Sequence, residues 1–285
     1  MLLKIFRLFF SVLNIVSSGY AAKRAVAIFY SPRRFEMANW EKNALAAGTP
    51  ATLSFDGEVL DATIWDNTGP TVLLVHGWEG RRAQLGKIGL ALNAQGYRVV
   101  AFDGPAHGSS NKKRTTLVEF SRAVAAAAEH FGPVHTIVGH SFGAAATGIA
   151  VRKGTVAQQI VLISCPFSLR HVVSGFARMV GVPHRSHEKM YPIMEQLHDC
   201  PESELSFATI GPDLNLPCLM IHDLKDRYVP ADDADRVHLT IANSELIKTN
   251  GLGHMRILQD ENVVRRVVGF VCQLPTDAAA QAAVQ

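Results

Sequence analysis

Short runs of consecutive apolar residues alternate with segments of helical periodicity along most of the chain, and this alternation restricts the fold most. The apolar runs lie at 71–75, 97–102, 134–138, 160–164 and 218–221, and a further strand is predicted at 245–249. The helical segments lie at 82–95, 115–130, 144–152, 231–242 and 261–273. Runs that are apolar on both faces are typical of parallel strands covered by helices on both sides. Strands and helices that alternate at this spacing predict right-handed crossovers, and hence an α/β fold with a mostly parallel sheet.

Two regions depart from this alternation. Segments 51–55 and 59–65 flank Asp56-Gly57, a turn sequence that predicts a β-hairpin. Residues 167–212 contain helical pieces and prolines without a strand pattern, which predicts a helical cap inserted between two strands. We therefore divide the chain into an N-terminal helical segment (1–50), an α/β domain (51–275) with the cap at about 167–212, and a flexible tail (276–285).

Composition narrows the class of protein. The chain has 285 residues and a formal charge of +3, and its lysines and arginines are scattered, so we expect no nucleic-acid partner. The four cysteines form no C-x-x-C pair, and Cys165 and Cys218 lie in strongly apolar runs. Free thiols of this kind favour a reducing compartment, so the sequence predicts a cytoplasmic protein.

The first 22 residues allow two interpretations. Lys4 and Arg7 precede an apolar run followed by small residues, as in the signal peptide of a secreted protein. The alternative, which we prefer, is an amphipathic helix that packs on the protein body, lies peripherally on the inner membrane or partly covers the active site. Its apolar face would consist of residues that recur at steps of three and four, namely Leu2, Phe6, Phe9, Leu13 and Val16.

The strongest local signal is Gly139-His140-Ser141-Phe142-Gly143, which follows a predicted buried strand and precedes a predicted helix. A G-x-S-x-G sequence in this context predicts a sharp turn that exposes the serine hydroxyl beyond the sheet. The flanking glycines are needed because such a turn leaves no room for side chains. Ser141 is therefore the candidate nucleophile.

The partners of Ser141 follow from chain order, since this architecture runs serine, acid, histidine. His254 lies beyond the last predicted strand and is the candidate base. Asp223 and Asp226 both follow the strand that ends at His222, and we prefer Asp226 as the acid that orients the base.

Two backbone N–H groups complete the predicted site. The loop after the strand that ends at His76 supplies one donor of the oxyanion hole, and the residue after the nucleophile supplies the other. These donors would be the amides of Trp78 and Phe142. The interpretation that His76-Gly77 only ends a strand stays open.

Together these segments resemble the α/β-hydrolase superfamily, in its lipase, esterase and serine-aminopeptidase-like branch. The motifs occur in the family's order over residues 51 to 273, and they include the turn Asp103-Gly104-Pro105-Ala106-His107-Gly108-Ser109, in which Ala106 replaces the usual glycine. The resemblance implies an eight-stranded, mostly parallel sheet with helices on both faces, a small helical cap after the sixth strand, and neither a metal nor an organic cofactor.

Several further residues are candidates for the substrate pocket because they flank the predicted nucleophile or oxyanion hole. For His107 the alternative is that its turn braces a loop near the site. His184 and His187 in the cap lack a third metal ligand at fitting spacing, so we expect no metal site. The pocket candidates are His76, Gly77, Glu79, His107 and His140.

The sequence thus predicts a serine hydrolase that cleaves a carboxylic ester, or a related acyl bond, of a small and hydrophobic substrate through an acyl-enzyme intermediate. Two alternatives remain: a lyase or cofactor-free haloperoxidase on the same triad, and a non-catalytic ligand-binding protein. The oligomeric state does not follow from the sequence.

Overall fold

The computed structural model describes residues 2–273 and contains a central eight-stranded sheet. The strands are β1 (Thr49–Phe55), β2 (Glu58–Trp65), β3 (Thr71–Val75), β4 (Arg98–Phe102), β5 (Val134–His140), β6 (Gln159–Ile163), β7 (Cys218–Asp223) and β8 (Ser244–Thr249). Each predicted apolar run forms a strand, and Asp56-Gly57 joins the β1–β2 hairpin, where Gly57 has a φ of +77°.

The sheet order is β1-β2-β4-β3-β5-β6-β7-β8. Strands β4, β3, β5, β6, β7 and β8 are parallel, whereas β1 and β2 pair antiparallel and β2 pairs antiparallel with β4. The predicted fold class, a mostly parallel eight-stranded α/β sheet, is therefore confirmed. Its parallel part brings the carboxyl ends of β3, β5 and β7 to one edge, where ligands of open α/β sheets bind.

Side chains alternate along the buried strands, so both faces of the sheet are apolar, and helices cover both of them. Leu73, Val75 and Ile137 face one core, and Val72, Leu74 and Val138 face the other. The helices are α1 (Leu2–Val16), α2 (Ser18–Phe29), α3 (Asn39–Ala46), α4 (Gly86–Asn93), α5 (Leu117–Phe131), α6 (Phe142–Arg152), α7 (Leu169–Val180), α8 (His184–Glu188), α9 (Met190–His198), α10 (Phe207–Ile210), α11 (Ala231–His238), α12 (Gly253–Arg256) and α13 (Glu261–Val271).

The two cores differ in what they contain. Residues of α4 and α13 build one core, while α2, α5, α6, α7 and α9 contribute to the other. The irregular segment between β6 and β7 consists of α7 to α10 with short 3-10 turns that end at Asp213. It lies where the sequence predicts the cap, and we call it the helical insertion. The predicted tail at 276–285 lies outside the described residues.

The predicted apolar face of the first helix is wrong. In α1 the side chain of Phe10 is completely buried and those of Phe6 and Leu13 are half-buried, whereas Phe9 and Val16 are exposed. The helix is apolar on nearly every side, so periodicity alone does not identify the side that packs. Among the described residues, no helix is both long and apolar enough to cross a membrane.

Candidate active site

Ser141 occupies a strained turn between β5 and α6. Its φ of +54° and ψ of −117° lie outside the regions that L-residues favour, and its N–H donates to the carbonyl oxygen of Ile163 at 2.8 Å. Its carbonyl accepts hydrogen bonds from the amides of Ala144 and Ala145, which ties the turn to the start of α6. Strain of this kind persists only where surrounding structure enforces it, and it is common at functional sites.

A chain of two hydrogen bonds joins Ser141 to a buried carboxylate through His254. The distance from His254 Nδ1 to Asp226 Oδ2 is 2.6 Å, and that from His254 Nε2 to Ser141 Oγ is 3.0 Å. A carboxylate can only accept, so Nδ1 carries the ring proton and Nε2 is free to accept the serine proton. The arrangement can therefore draw a proton from the Ser141 hydroxyl.

Asp226 is held as an anion. Burial favours its neutral form, but the hydrogen bond and charge of His254 together with the amides of Val229 and Tyr228 outweigh this effect and lower the pKa of Asp226. Both amides donate to Oδ1, at 3.0 and 2.8 Å. The opposite oxygen, Oδ2, thus remains available to His254.

Asp223 organises the loop that carries His254. Its oxygens accept from the amides of Gly251 and Leu252 at 3.2 and 2.9 Å, and from the Thr249 hydroxyl at 2.7 Å. Burial opposes ionisation, yet hydrogen bonds from the Gly253 amide, the Thr249 hydroxyl and the Leu252 amide lower the pKa of Asp223 to about 2. The carboxylate that sequence reasoning placed second therefore lies beneath the loop and does not contact His254.

The loop after β3 lies directly against the turn at Ser141. A Cβ on Gly77 would lie 3.1 Å from Cβ of Ser141, and one on Gly143 would lie 2.3 Å from the carbonyl oxygen of His76. The rings of Trp78 and Phe142 are 4.9 Å apart, so the two predicted oxyanion residues are in contact through their side chains. Gln84, which sequence analysis missed, fixes this loop by accepting from the Gly77 amide at 3.0 Å.

Two of the predicted pocket histidines, His76 and His107, are buried beside the candidate site. His76 Nε2 accepts from the amide of Gly104 at 2.9 Å, and burial lowers the pKa of His76 to about 4. His107 Nε2 accepts from the amide of Glu79 at 3.0 Å, and burial lowers the pKa of His107 to about 3. Both histidines therefore brace the loops beside the candidate site.

His140 supports the histidine that contacts Ser141. Its Nε2 donates to the carbonyl oxygen of His254 at 3.0 Å, and the two rings are 4.7 Å apart. Burial holds the pKa of His140 well below its usual value. The ring is 1% exposed, so the structure does not place it on the substrate pocket surface.

Glu79 lines a groove of about 410 Å³ that Arg33 and His107 also line. Nε and Nη2 of Arg33 donate hydrogen bonds to Oε1 and Oε2 of Glu79, at 2.8 and 3.0 Å. In the turn at residues 103–109, Ala106 has a φ of +65°. That left-handed conformation suits glycine and explains why alanine is unusual there.

An aromatic cluster packs against Phe142, the residue after Ser141, and includes side chains from two regions outside the recognised motifs. Phe29 at the end of α2 stacks on Trp78 with ring centroids 6.2 Å apart, and Phe176 of α7 packs against Phe29 at 5.3 Å. The ring of a further aromatic residue, Tyr228, lies 5.2 Å from the ring of His254. Sequence reasoning missed Phe29, Phe176 and Tyr228 because only the fold brings them to the serine.

In the helical insertion, His184 and His187 have a third potential metal ligand, Glu188, which the spacing of the histidines did not indicate. Ligand atoms of His184, His187 and Glu188 lie within 4.8 Å of one another. His184 and Glu188 are exposed, and Nε2 of His187 is 2.8 Å from the Tyr191 hydroxyl. Exposed acidic groups often lie near such side chains without binding a metal, so we infer no metal site from these three residues.

Comparisons with known proteins identify the fold. The model of a family described as the alpha/beta hydrolase family matches residues 72–266. Solved structures that resemble the chain include the esterase Pf2001 of Pyrococcus furiosus (22% identity, TM-score 0.66, 86% of this chain and 97% of that one). The esterase EaEST of Exiguobacterium antarcticum (17%, 0.61, 79% and 100%) and a thioesterase domain from the curacin biosynthetic pathway (17%, 0.59, 80% and 100%) are also similar. Among curated protein sequences, none matches the chain significantly.

Proposed function

The chain belongs to the alpha/beta hydrolase family, and from this premise we propose that it is a serine hydrolase of carboxylic esters that acts through an acyl-enzyme. The observation that carries the proposal is the hydrogen-bonded chain from Ser141 through His254 to Asp226. A serine, a base in contact with it and an orienting acid are the requirements of nucleophilic acyl transfer.

In the first step His254 takes the Ser141 proton while the serine oxygen attacks the substrate carbonyl. The amides of Trp78 and Phe142 would stabilise the oxyanion, and such donors are each worth about 3 kcal/mol in the transition state. His254 then gives the proton to the leaving alcohol, which departs as the acyl-enzyme forms. In the second step His254 takes a proton from water, whose oxygen attacks the acyl carbon. His254 then returns that proton to the Ser141 oxygen as the bond to the acyl group breaks, which releases the carboxylic acid and restores the serine.

The aromatic cluster supports a hydrophobic substrate. Trp78, Phe29 and Phe176 are half-buried, so they present apolar surface beside the serine. Pockets that bind small molecules are mostly apolar and contain few polar groups that fix orientation. We expect the acyl chain or the alcohol of the ester to pack on these rings.

The test is turnover of p-nitrophenyl esters by the full-length protein. Replacing Ser141 by Ala should lower kcat by at least about a thousandfold, because the nucleophile is lost. Ser54→Ala is the matched control, since Ser54 is exposed on β1, far from the turn in sequence. Ester cleavage that persists unchanged in Ser141→Ala would refute the proposal.

A further inference from the structure

The outward side of α1 carries apolar side chains that nothing in the described chain covers. Ile15 is 84% exposed and Leu8 is 68% exposed, and Ile5, Val12 and Val16 are exposed beside them. Lys4, Arg7, Ser11 and Asn14 form one polar side of this helix, so its apolar arc is wider than the part that packs on the protein body. Contiguous exposed apolar surface marks a site of interaction with a partner or a membrane.

The inner side fixes this helix to the protein body. Phe10 is completely buried, and Oδ1 of Asn14 accepts from the Ser186 hydroxyl of α8 at 2.7 Å. The aliphatic part of Arg7 lies on Gly181, where an added Cβ would come within 2.3 Å of Arg7 Cγ. Because the inner side is occupied by these contacts, the apolar stripe of Leu8, Val12 and Ile15 faces outward.

The N-terminal region that contains the stripe is positively charged. Residues 1–35 contain Lys4, Arg7, Lys23, Arg24, Arg33 and Arg34 but neither aspartate nor glutamate. Arg33 and Arg34 bind protein groups near the site. Within residues 2–273, the side chains of the other four form no ion pair with an acidic side chain. Lys4 precedes Leu8 by four residues, so it lies on the same side of the helix as the stripe.

We propose that α1 docks the protein on a bilayer that contains anionic phospholipids. The helix has 15 residues and is therefore about 22 Å long, too short for a hydrocarbon core of about 30 Å. It would lie in the interfacial plane, with Leu8, Val12 and Ile15 among the upper acyl chains and the cations at the phosphates. A second copy fits less well, because it would bring like charges together.

Docking would place the entrance of the candidate site at the bilayer. Helix α2 packs on α1 and ends at Phe29, which stacks on Trp78. An ester dissolved in the bilayer would then reach the aromatic cluster along this helix pair. This consequence rests on the proposed function, whereas docking itself does not.

The experiment measures co-sedimentation of the full-length Ser141→Ala protein with vesicles, so that lipid is not consumed. Vesicles of phosphatidylcholine mixed with phosphatidylglycerol should bind at least about tenfold more tightly than phosphatidylcholine alone, and added salt should weaken binding. The double substitution Leu8→Ser and Ile15→Ser should weaken binding by at least about tenfold. Val156→Ser with Leu239→Ser is the matched control, since both side chains are more than 80% exposed elsewhere.

The outcomes separate the alternatives. Tighter binding to anionic vesicles that the α1 substitutions abolish, with the melting temperature and the control unchanged, supports docking. Equal binding by the α1 variant overturns the proposal, and so does a dimer in solution that only this variant dissociates. Hydrolysis of a soluble ester is measured separately on the protein with Ser141 intact, so loss of the proposed activity would leave the vesicle result standing.

Discussion

At the residue scale, two aspartates at the carboxyl end of β7 support His254 in different ways: Asp223 is the last residue of the strand, and Asp226 lies three residues further on. Asp226 contacts the imidazole at 2.6 Å, while Asp223 holds the amides of Gly251 and Leu252 in the loop that precedes it. In the proposed mechanism one carboxylate would set the tautomer and stabilise the imidazolium, and the other would set the position of the backbone.

This division predicts different effects for the two amide variants. Asp226→Asn should lower kcat for a soluble ester by about a thousandfold or more, because an amide no longer fixes the tautomer of His254. Asp223→Asn should cost less rate, but it should lower the free energy of unfolding by about 2 kcal/mol because buried donors lose their anionic acceptor. Steady-state kinetics and urea unfolding measure both quantities. Equal or reversed losses of kcat would mean that the acid is assigned to the wrong residue.

Sequence reasoning at this scale reached the residues with motifs and missed those without. Ser141 and His254 are marked by glycines and by chain order, so their neighbourhood could be anticipated. The burial of His76 and His107 could not, because a histidine after a strand reads the same whether its ring faces a pocket or a backbone amide. Gln84 carries no local signal at all, since its bond to Gly77 depends on how a short helical turn packs.

At the element scale, the turn between β5 and α6 depends on its close approach to β3. Gly143 lies so near that an added Cβ would meet the carbonyl oxygens of His76 and Val75 at 2.3 and 2.6 Å. These atoms belong to the backbone and cannot rotate away. The first turn of α6 and the end of β3 must therefore move together or separate.

Gly143→Ala should consequently lower the free energy of unfolding by at least about 2 kcal/mol, as overpacking in a buried region does, and remove ester hydrolysis. Gly175→Ala is the control, because Gly175 lies in α7 with nothing within 4 Å of its would-be Cβ. That control should be neutral or more stable by up to about 1 kcal/mol, since alanine favours helix. Thermal and urea unfolding measure these changes. Equal changes in the free energy of unfolding for Gly143→Ala and Gly175→Ala would contradict the prediction.

The elements themselves were mostly predictable. Buried parallel strands are short apolar runs between turn residues, so β3 to β7 start and end close to the expected residues. The packing side of α1 was not predictable, because Phe6, Phe9 and Phe10 offer apolar groups on adjoining sides. Contacts with residues far away in sequence, such as Ser186 and Gly181, help to select the side that Phe10 occupies.

At the scale of the whole molecule, buried neutral histidines connect stability to pH. Burial lowers the pKa of His76 and of His198 to about 4, and that of His107 to about 3. The unfolded chain takes up these protons near pH 6.5, before the folded protein does. Stability should therefore fall as the pH drops from about 6.5 to about 4, by up to about 3 kcal/mol for each histidine.

His198→Gln should reduce this pH dependence by about one proton, or about 1.4 kcal/mol per pH unit between pH 6 and pH 4.5. His198 ties the end of α9 to Tyr30, with 2.8 Å between its Nε2 and the hydroxyl. The variant should thus be less stable at pH 7 yet lose less on acidification. Urea unfolding across this pH range measures both effects, with exposed His184→Gln as the control. An equal pH dependence of the free energy of unfolding in the wild type and in His198→Gln would contradict this prediction.

The central claim is that Ser141 carries the acyl group during turnover. Rapid quenching of the wild-type protein with a slowly hydrolysed p-nitrophenyl ester, followed by peptide mapping with mass spectrometry, tests it most directly. We expect the mass of one acyl group on the peptide that contains Ser141, and its absence when His254 is replaced by Ala. Acylation of a different residue, or steady turnover by the wild type with Ser141 unmodified at every quench time, would contradict the mechanism.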